Sequence, residues 1–472
     1  MTITESPSRA TPAGEDAPAL VARIRATFDT GRTRPLAWRR RQLEGLIRIL
    51  ADHQADLLAA LDADLGKPST EGWMTDLAYT ASEIGDYAKN LERWAAPERV
   101  PVPLRLRPGR ATLHREPLGV TLVIAPWNYP VQLLLVPMAG ALAAGNAVIG
   151  KPSEVAPHTS ALIARLVPRY LDPEAVAIVE GGVEETTALL EQRFDHIFYT
   201  GNGRVGRVVM TAAARHLTPV TLELGGKSPT IVDRTADIDV AARRIAWGKY
   251  LNAGQTCIAP DYVLADEAIH DELVTKLGAA VRAFYGTDPQ QSPDYARIVN
   301  DRHFSRLTDL LDAGGYESLA FGGERDRADR YLSPTLLTGI ADDAAVMHEE
   351  IFGPLLPVIP VADADAAIAR INAGDKPLAI YAFGSEDVTD RIVERTSSGG
   401  VCVNATLFHI TVPALPFGGV GESGMGSYHG RRSFDTFSHV KPVFERPTSP
   451  DPSLAYPPYN RLKRFVIKRM LG

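Results

Sequence analysis

The apolar positions change texture along the chain. Residues 17 to 95 repeat apolar side chains at helical spacing, most clearly in "LAWRRRQLEGLIRILADHQADLLAALDADLG", where Leu43, Leu46, Leu50, Leu57 and Leu61 share one face. This region reads mainly as helices. Residues 99 to 117 alternate apolar and basic positions around a Pro-Gly turn, which predicts a two-stranded hairpin. A lone hairpin is only marginally stable, so it has to lean on another part of the chain or on another subunit. From residue 119 short apolar runs alternate with helical segments: "GVTLVIAPW", "NAVIGKPS", "AVAIVEGG", "HIFYTG" and "VTLELGG". That βα order predicts a parallel sheet covered on both faces, with ligands at the carboxyl ends of its strands. A second βα region is predicted for 255–412, with "YVLAD", "LAIYAFG" and "GGVCVNA" its clearest strands.

Length and composition narrow the class. A chain of 472 residues exceeds what one hydrophobic core supports and implies two or three domains. Hydrophobic residues make up 45% and charged residues 23%, and the net charge is 50 − 57 = −7, the profile of a soluble globular protein with no nucleic-acid partner. The two cysteines, Cys257 and Cys402, cannot build a disulfide framework, which favours a reducing, cytoplasmic compartment. Scattered histidines and the absence of a CxxC pair predict no metal site. Residues 1–16 read as a flexible arm without a signal-peptide pattern, and no apolar run is long enough for a membrane span. The tail, 448–472, interleaves basic and apolar residues. It predicts a short amphipathic helix that packs on its own protein or a partner subunit, with membrane-surface contact as the weaker alternative.

Two stretches carry candidate chemistry. In "NAGQTCIAP" Cys257 sits on a loop bounded by Gly254 and Pro260, after a helix-like run and before the strand "DYVLAD". A thiol on such a loop either faces a cleft or fills a small core position. "GNGRVG" at 201–206 satisfies the G-x-G-x-x-G pattern, and Glu223 follows at the spacing of a ribose-binding acid. The pattern nevertheless follows the fourth strand of the series, whereas the dinucleotide fingerprint belongs to the first βα turn. Glu223 in "LELGGKSP" is alternatively a desolvated general base or the partner of Lys227 in a salt bridge.

Together "APWNYP" at 125, "GNAVIGKPSE" at 145, "YTGNGRVG" at 199, "LELGGKSP" at 222, "GQTCIAP" at 254, "EEIFGP" at 349 and "LPFGGVGESGMGSYHG" at 415 resemble the NAD(P)-dependent aldehyde dehydrogenases, nearest the class 3, fatty and aromatic aldehyde branch. The resemblance implies an α/β fold with a Rossmann-type cofactor domain (17–98 and 118–223), a catalytic domain (224–412) and a small β oligomerisation arm (99–117 and 430–447) in a homodimer. It implies Cys257 as nucleophile, Asn128 with the Cys257 backbone N–H as donors to the oxyanion, and Glu223 as the base for the hydrolytic water. Lys151 and Glu154 correspond to the ribose contacts, and Gly201 and Asn202 to the pyrophosphate turn. Glu350 and Phe352 correspond to the residues that hold the nicotinamide ribose and ring, and Trp127 and Gly206 are further expected cofactor contacts. NAD is the expected cofactor, with NADP admitted, and the substrate is a medium or long aliphatic or an aromatic aldehyde. Acyl transfer to coenzyme A and a non-catalytic protein of the same fold are the alternatives. Gly150 departs from the bulkier residue usual before the lysine, so altered packing near the adenosine is expected.

Overall fold

The computed structural model describes residues 15–451 and 453–471, so all but the end of the 1–16 arm lies outside the described residues. The hairpin forms from β1 (Glu98–Val100) and β2 (Arg110–Pro117). Next come β3 (Val120–Ile124), β4 (Ala147–Lys151), β5 (Val176–Ile178), β6 (His196–Thr200) and β7 (Val220–Glu223), then β8 (Pro229–Val232), β9 (Tyr262–Asp266) and β10 (Ser318–Phe321). A short hairpin, β11 (Arg325–Asp326) and β12 (Tyr331–Leu332), precedes β13 (Thr335–Thr338), β14 (Leu355–Val361), β15 (Ala379–Phe383) and β16 (Gly400–Val403). The chain closes with β17 (Gly424–Met425), β18 (Ser438–Glu445) and a helix, Arg461–Leu471.

Two main sheets result. The first has the order β17-β7-β6-β3-β4-β5, parallel except for β17. Its strands are continuous Val/Ile/Leu-rich runs, every residue of β3 and β6 being buried, because helices cover both faces. One covering helix, Gln132–Ala144, is buried at every position and apolar all round, as a helix wedged between layers must be. The direction of winding reverses between β3 and β6, which opens a crevice outside their carboxyl ends. The second sheet has the order β10-β13-β14-β9-β8-β15-β16. The chain crosses from one sheet to the other between Glu223 and Pro229.

The 98–117 hairpin does lean elsewhere: β18 runs antiparallel along the whole of β2, from Ser438↔Pro117 to Glu445↔Arg110. Of residues 430–447 only this strand belongs to the arm sheet. Gly430–Thr436 is a helix whose Ser433 and Phe434 are buried, close against Gly140 of the wedged helix.

Two expectations need correction. A Cβ on Gly150 would lie 2.7 Å from Met138 Sδ and 2.8 Å from Ile178 Cδ1. The missing side chain is therefore compensated inside the core, away from the cofactor crevice. The basic tail does form a helix, but Leu462, Phe465 and Met470 are exposed, so it does not pack its apolar face on its own chain.

Candidate active site

Cys257 is held on a strained loop. Asn252, Ala253 and Gly254 all have positive φ, of 53, 52 and 75°. The left-handed region costs a residue such as alanine about 1–3 kcal/mol and persists only where surrounding contacts over-determine it. Here the buried Gln255 side chain supplies them: Nε2 donates to the carbonyls of Asn252 and Arg297, and Oε1 accepts from the Val299 N–H. Gly254 is required on a second count, since a Cβ would collide with the Gly353 carbonyl. The loop thereby places Cys257, partly accessible, in the wall of a cavity of about 320 Å³. Cys402, by contrast, is buried in β16 opposite Tyr381 and packs as a core residue.

The cavity collects residues far apart in sequence. Tyr129, Glu223, Trp247, Leu407, Phe408 and Tyr428 line it with Cys257, and its walls are overwhelmingly apolar. Asn128 is buried beside it, and its Nδ2 donates to the Gln255 carbonyl at 3.1 Å. That bond uses one amide hydrogen and leaves the other for an incoming oxygen. Tyr129 Oη and Thr256 Oγ1 lie 2.6 Å apart, which ties the "PWNYP" turn to the thiol loop.

Glu223 ends β7 and is 3% exposed, with neither carboxyl oxygen hydrogen-bonded in the described residues. Desolvation holds its proton affinity well above the usual carboxylate range. Lys227 does not pair with it. That ammonium bonds Asp261 and the carbonyls of Val346 and Glu349, pinning the "EEIFGP" segment to the "LGGK" turn. Glu223 lines the cavity with Cys257, whereas Lys151 and Glu154 lie at and just beyond the end of β4, with β6 and β3 between.

Sequence reasoning missed how close Glu350 comes to this centre. A Cβ on Gly225 would collide with the Glu350 carboxylate, so the glycine exists to admit it. Burial pushes Glu350 up to about 8. Burial, then Glu350, then Glu223 push the Cys257 thiol up to about 12.

The other candidate residues lie outside the apolar cavity. Lys151 ends β4 with its ammonium on the carbonyls of Pro152 and Gly181, and Glu154 is exposed just beyond it. Asn202 caps the helix Gly203–Ala214, its side chain accepting from the Val205 N–H, which leaves a helix N-terminus at the end of β6. Gly206 lies in that helix where a Cβ would be 3.0 Å from Leu224, so it serves helix–strand packing. Trp127 faces Phe352 and His303 at ring-centroid distances of 5.4 and 4.8 Å, on the crevice side, and is no part of the apolar cavity. His409 packs between the Tyr381 and Phe417 rings. A crevice at the switch point, with a helix N-terminus, a buried lysine and an aromatic wall, fits a dinucleotide.

The chain belongs to the aldehyde dehydrogenase family, whose profile it matches over residues 5–443. It is 48% identical over 442 residues to "Aldehyde dehydrogenase, dimeric NADP-preferring" of Canis lupus familiaris, covering 93% of this chain and 97% of that one. It is 50% identical over 446 residues to "Aldehyde dehydrogenase family 3 member A2" of Rattus norvegicus, covering 94% and 92%. The solved "Substrate bound state of Staphylococcus Aureus AldH" superposes with a TM-score of 0.95 at 44% identity, covering 97% of this chain and all of that one. Within the family the protein is a class 3-type, NAD(P)-dependent aldehyde dehydrogenase, which oxidises aldehydes.

The isolation of the Glu223 carboxyl has a measurable consequence. Because its folded pKa is raised, the native state keeps a proton that the unfolded chain releases, and this contribution to stability is lost as pH rises. Glu223→Gln removes the titration. The variant's Tm minus that of the wild type is expected to grow as pH rises above the ordinary carboxylate range, by about 1 °C per kcal/mol of linkage. A difference that stays flat or shrinks in paired thermal melts contradicts the buried, unpaired carboxyl.

Proposed function

We propose that Cys257 is the nucleophile, Asn128 the side-chain donor to the oxyanion and Glu223 the base of deacylation, in a dehydrogenase for apolar aldehydes. The observation that carries this reading is that Cys257 and Glu223, from a loop and a separate strand, line one apolar cavity, while the Asn128 side chain is tied to the Cys257 loop through the Gln255 carbonyl. The Cys257 thiol releases its proton to solvent as its sulfur attacks the aldehyde carbon, and the carbonyl oxygen, gaining negative charge, is met by the free Asn128 amide hydrogen and the Cys257 backbone N–H. Bound NAD(P)⁺ supplies the hydride acceptor that turns the thiohemiacetal into a thioester. Glu223 then takes a proton from the water that attacks the thioester, which releases the acid and restores the thiol. An ionisable carboxyl in the cavity wall supports hydrolysis over acyl transfer to coenzyme A.

Lys151 and Glu154 hold the adenosine ribose, Gly201 and Asn202 the pyrophosphate, and Trp127, Glu350 and Phe352 the nicotinamide end. Gly206 supports the turn by packing its helix. The exposed Glu154 carboxylate repels a 2′-phosphate, so NAD is preferred even though several relatives are called NADP-preferring. Glu154→Gln is expected to shift the NADP/NAD ratio of kcat/KM towards NADP by about tenfold. An unchanged ratio refutes the role. A medium or long aliphatic or an aromatic aldehyde suits walls built from Tyr129, Trp247 and Phe408. An aldehyde panel assayed with both cofactors tests this, and preference for short, polar aldehydes counts against it.

The arm gives the protein its homodimer: the outer edge of β18 is unpaired within the chain, as is the outer edge of β16. The reducing cytoplasm suits two free thiols. The exposed apolar face of Arg461–Leu471 is covered by a partner subunit or rests on a membrane surface.

A further inference from the structure

Behind the cavity lies an ion pair that the reaction does not use. Lys67 and Asp76 are both fully buried, with Lys67 Nζ 2.8 Å from Asp76 Oδ2. A buried pair contributes little net stability over apolar residues of the same size, so its retention calls for a geometric reason. The backbone shows one. Lys67 Nζ also donates to the Asn128 carbonyl at 3.0 Å and sits 4.0 Å above the Tyr129 ring. Asp76 Oδ1 accepts from the N–H groups of Val131 and Gln132, at 3.2 and 3.4 Å, where the wedged helix begins. Asp76 reaches inward from a π-helical segment, Trp73–Ala78, a rare winding that recurs at functional sites. A second buried donor, Asn252 Nδ2, reaches the same Asn128 carbonyl at 2.9 Å.

The Asn128 carbonyl is thus held from two sides, by a residue of the loop that follows the helix Gln54–Leu65 and by the first residue of the strained thiol loop. Neither donor is in the cavity wall. We propose that Lys67, anchored by Asp76 and joined by Asn252, is a positioning residue: it clamps the Asn128 backbone so that the side-chain amide meets the aldehyde oxygen. This rests on Asn128 being the oxyanion donor. The clamp fixes the Asn128 peptide, and any tilt moves the amide off the short, near-linear geometry that charge stabilisation requires.

The test separates positioning from folding. Lys67→Met alone strands a buried carboxylate, so the main variant is Lys67→Met/Asp76→Asn, which removes both charges and keeps an acceptor for Val131 and Gln132. This variant is expected to melt within a few degrees of the wild type and to bind NADH with an unchanged Kd by fluorescence titration. Its kcat/KM for aldehyde should fall by about tenfold or more. In an Asn128→Ala background the same change should cost less than about threefold, because the group it aims is gone. Wild-type activity in the charge-free variant, or the full loss repeated in the Asn128→Ala background, overturns the proposal. If Asn128→Ala itself costs nothing, the oxyanion reading fails instead. Should the double variant not fold, Asn252→Gly carries the same cycle, since glycine adopts the φ of 53° freely while removing the second donor. Additivity of Asn252→Gly with Asn128→Ala then overturns the clamp.

Discussion

Cys257→Ala is expected to abolish aldehyde oxidation, with a loss of at least about 10⁴-fold in kcat, because a methyl group has no electron pair to form the bond on which every later step depends. Cofactor binding should survive, since the crevice at the ends of β3, β4 and β6 is built from other elements. Cys402→Ala is the matched control: its thiol is buried in β16, and its removal should alter kcat by less than a few-fold. Steady-state rates with a tryptophan-quenching titration of NADH separate the two effects. Near-normal turnover in Cys257→Ala, or an equal loss in Cys402→Ala, contradicts the assignment.

Glu223→Gln is expected to split the reaction in time. The amide keeps the size of the carboxyl and the cavity intact but cannot take a proton from water, a contribution that typically reaches about 10²–10⁴-fold. Acylation of Cys257 can still occur, so NADH should appear rapidly up to about one equivalent per site and then at a much slower steady rate. Glu350 is the necessary comparison, because it too is a buried carboxyl that acts on the Cys257 thiol. Assigned to the nicotinamide end, Glu350→Gln should slow the first phase and leave no accumulated acyl group. A burst in Glu350→Gln and none in Glu223→Gln would exchange their roles.

The strands β3 to β7, the strands β9, β15 and β16 of the second sheet and the loop of Cys257 were legible because they depend on local patterning: continuous apolar runs, and glycines at positions such as 254 that only glycine can fill. The raised proton affinity of Glu223 followed from its apolar neighbours, although its freedom from Lys227 did not, since Asp261 claims that lysine from 34 residues away. The packing of Trp127 against His303 and Phe352 was not legible, because both rings come from distant parts of the chain. Glu350 was invisible as a neighbour of the thiol because only a close backbone approach at Gly225 brings it there. Lys67 and Asp76 gave no local signal, because two charges in a helix-like run ordinarily mark a solvated face. Their partner is 61 residues from Lys67, at the end of a strand not yet begun.

The most direct measurement of the central claim is peptide-level mass spectrometry of Glu223→Gln, quenched within seconds of mixing with NAD and an apolar aldehyde. The account predicts an acyl group, the aldehyde's mass less two hydrogens, on the peptide that contains Cys257, in an amount matching the NADH released in the burst. NADH release with no adduct on Cys257, or with the acyl group on another residue, would contradict it.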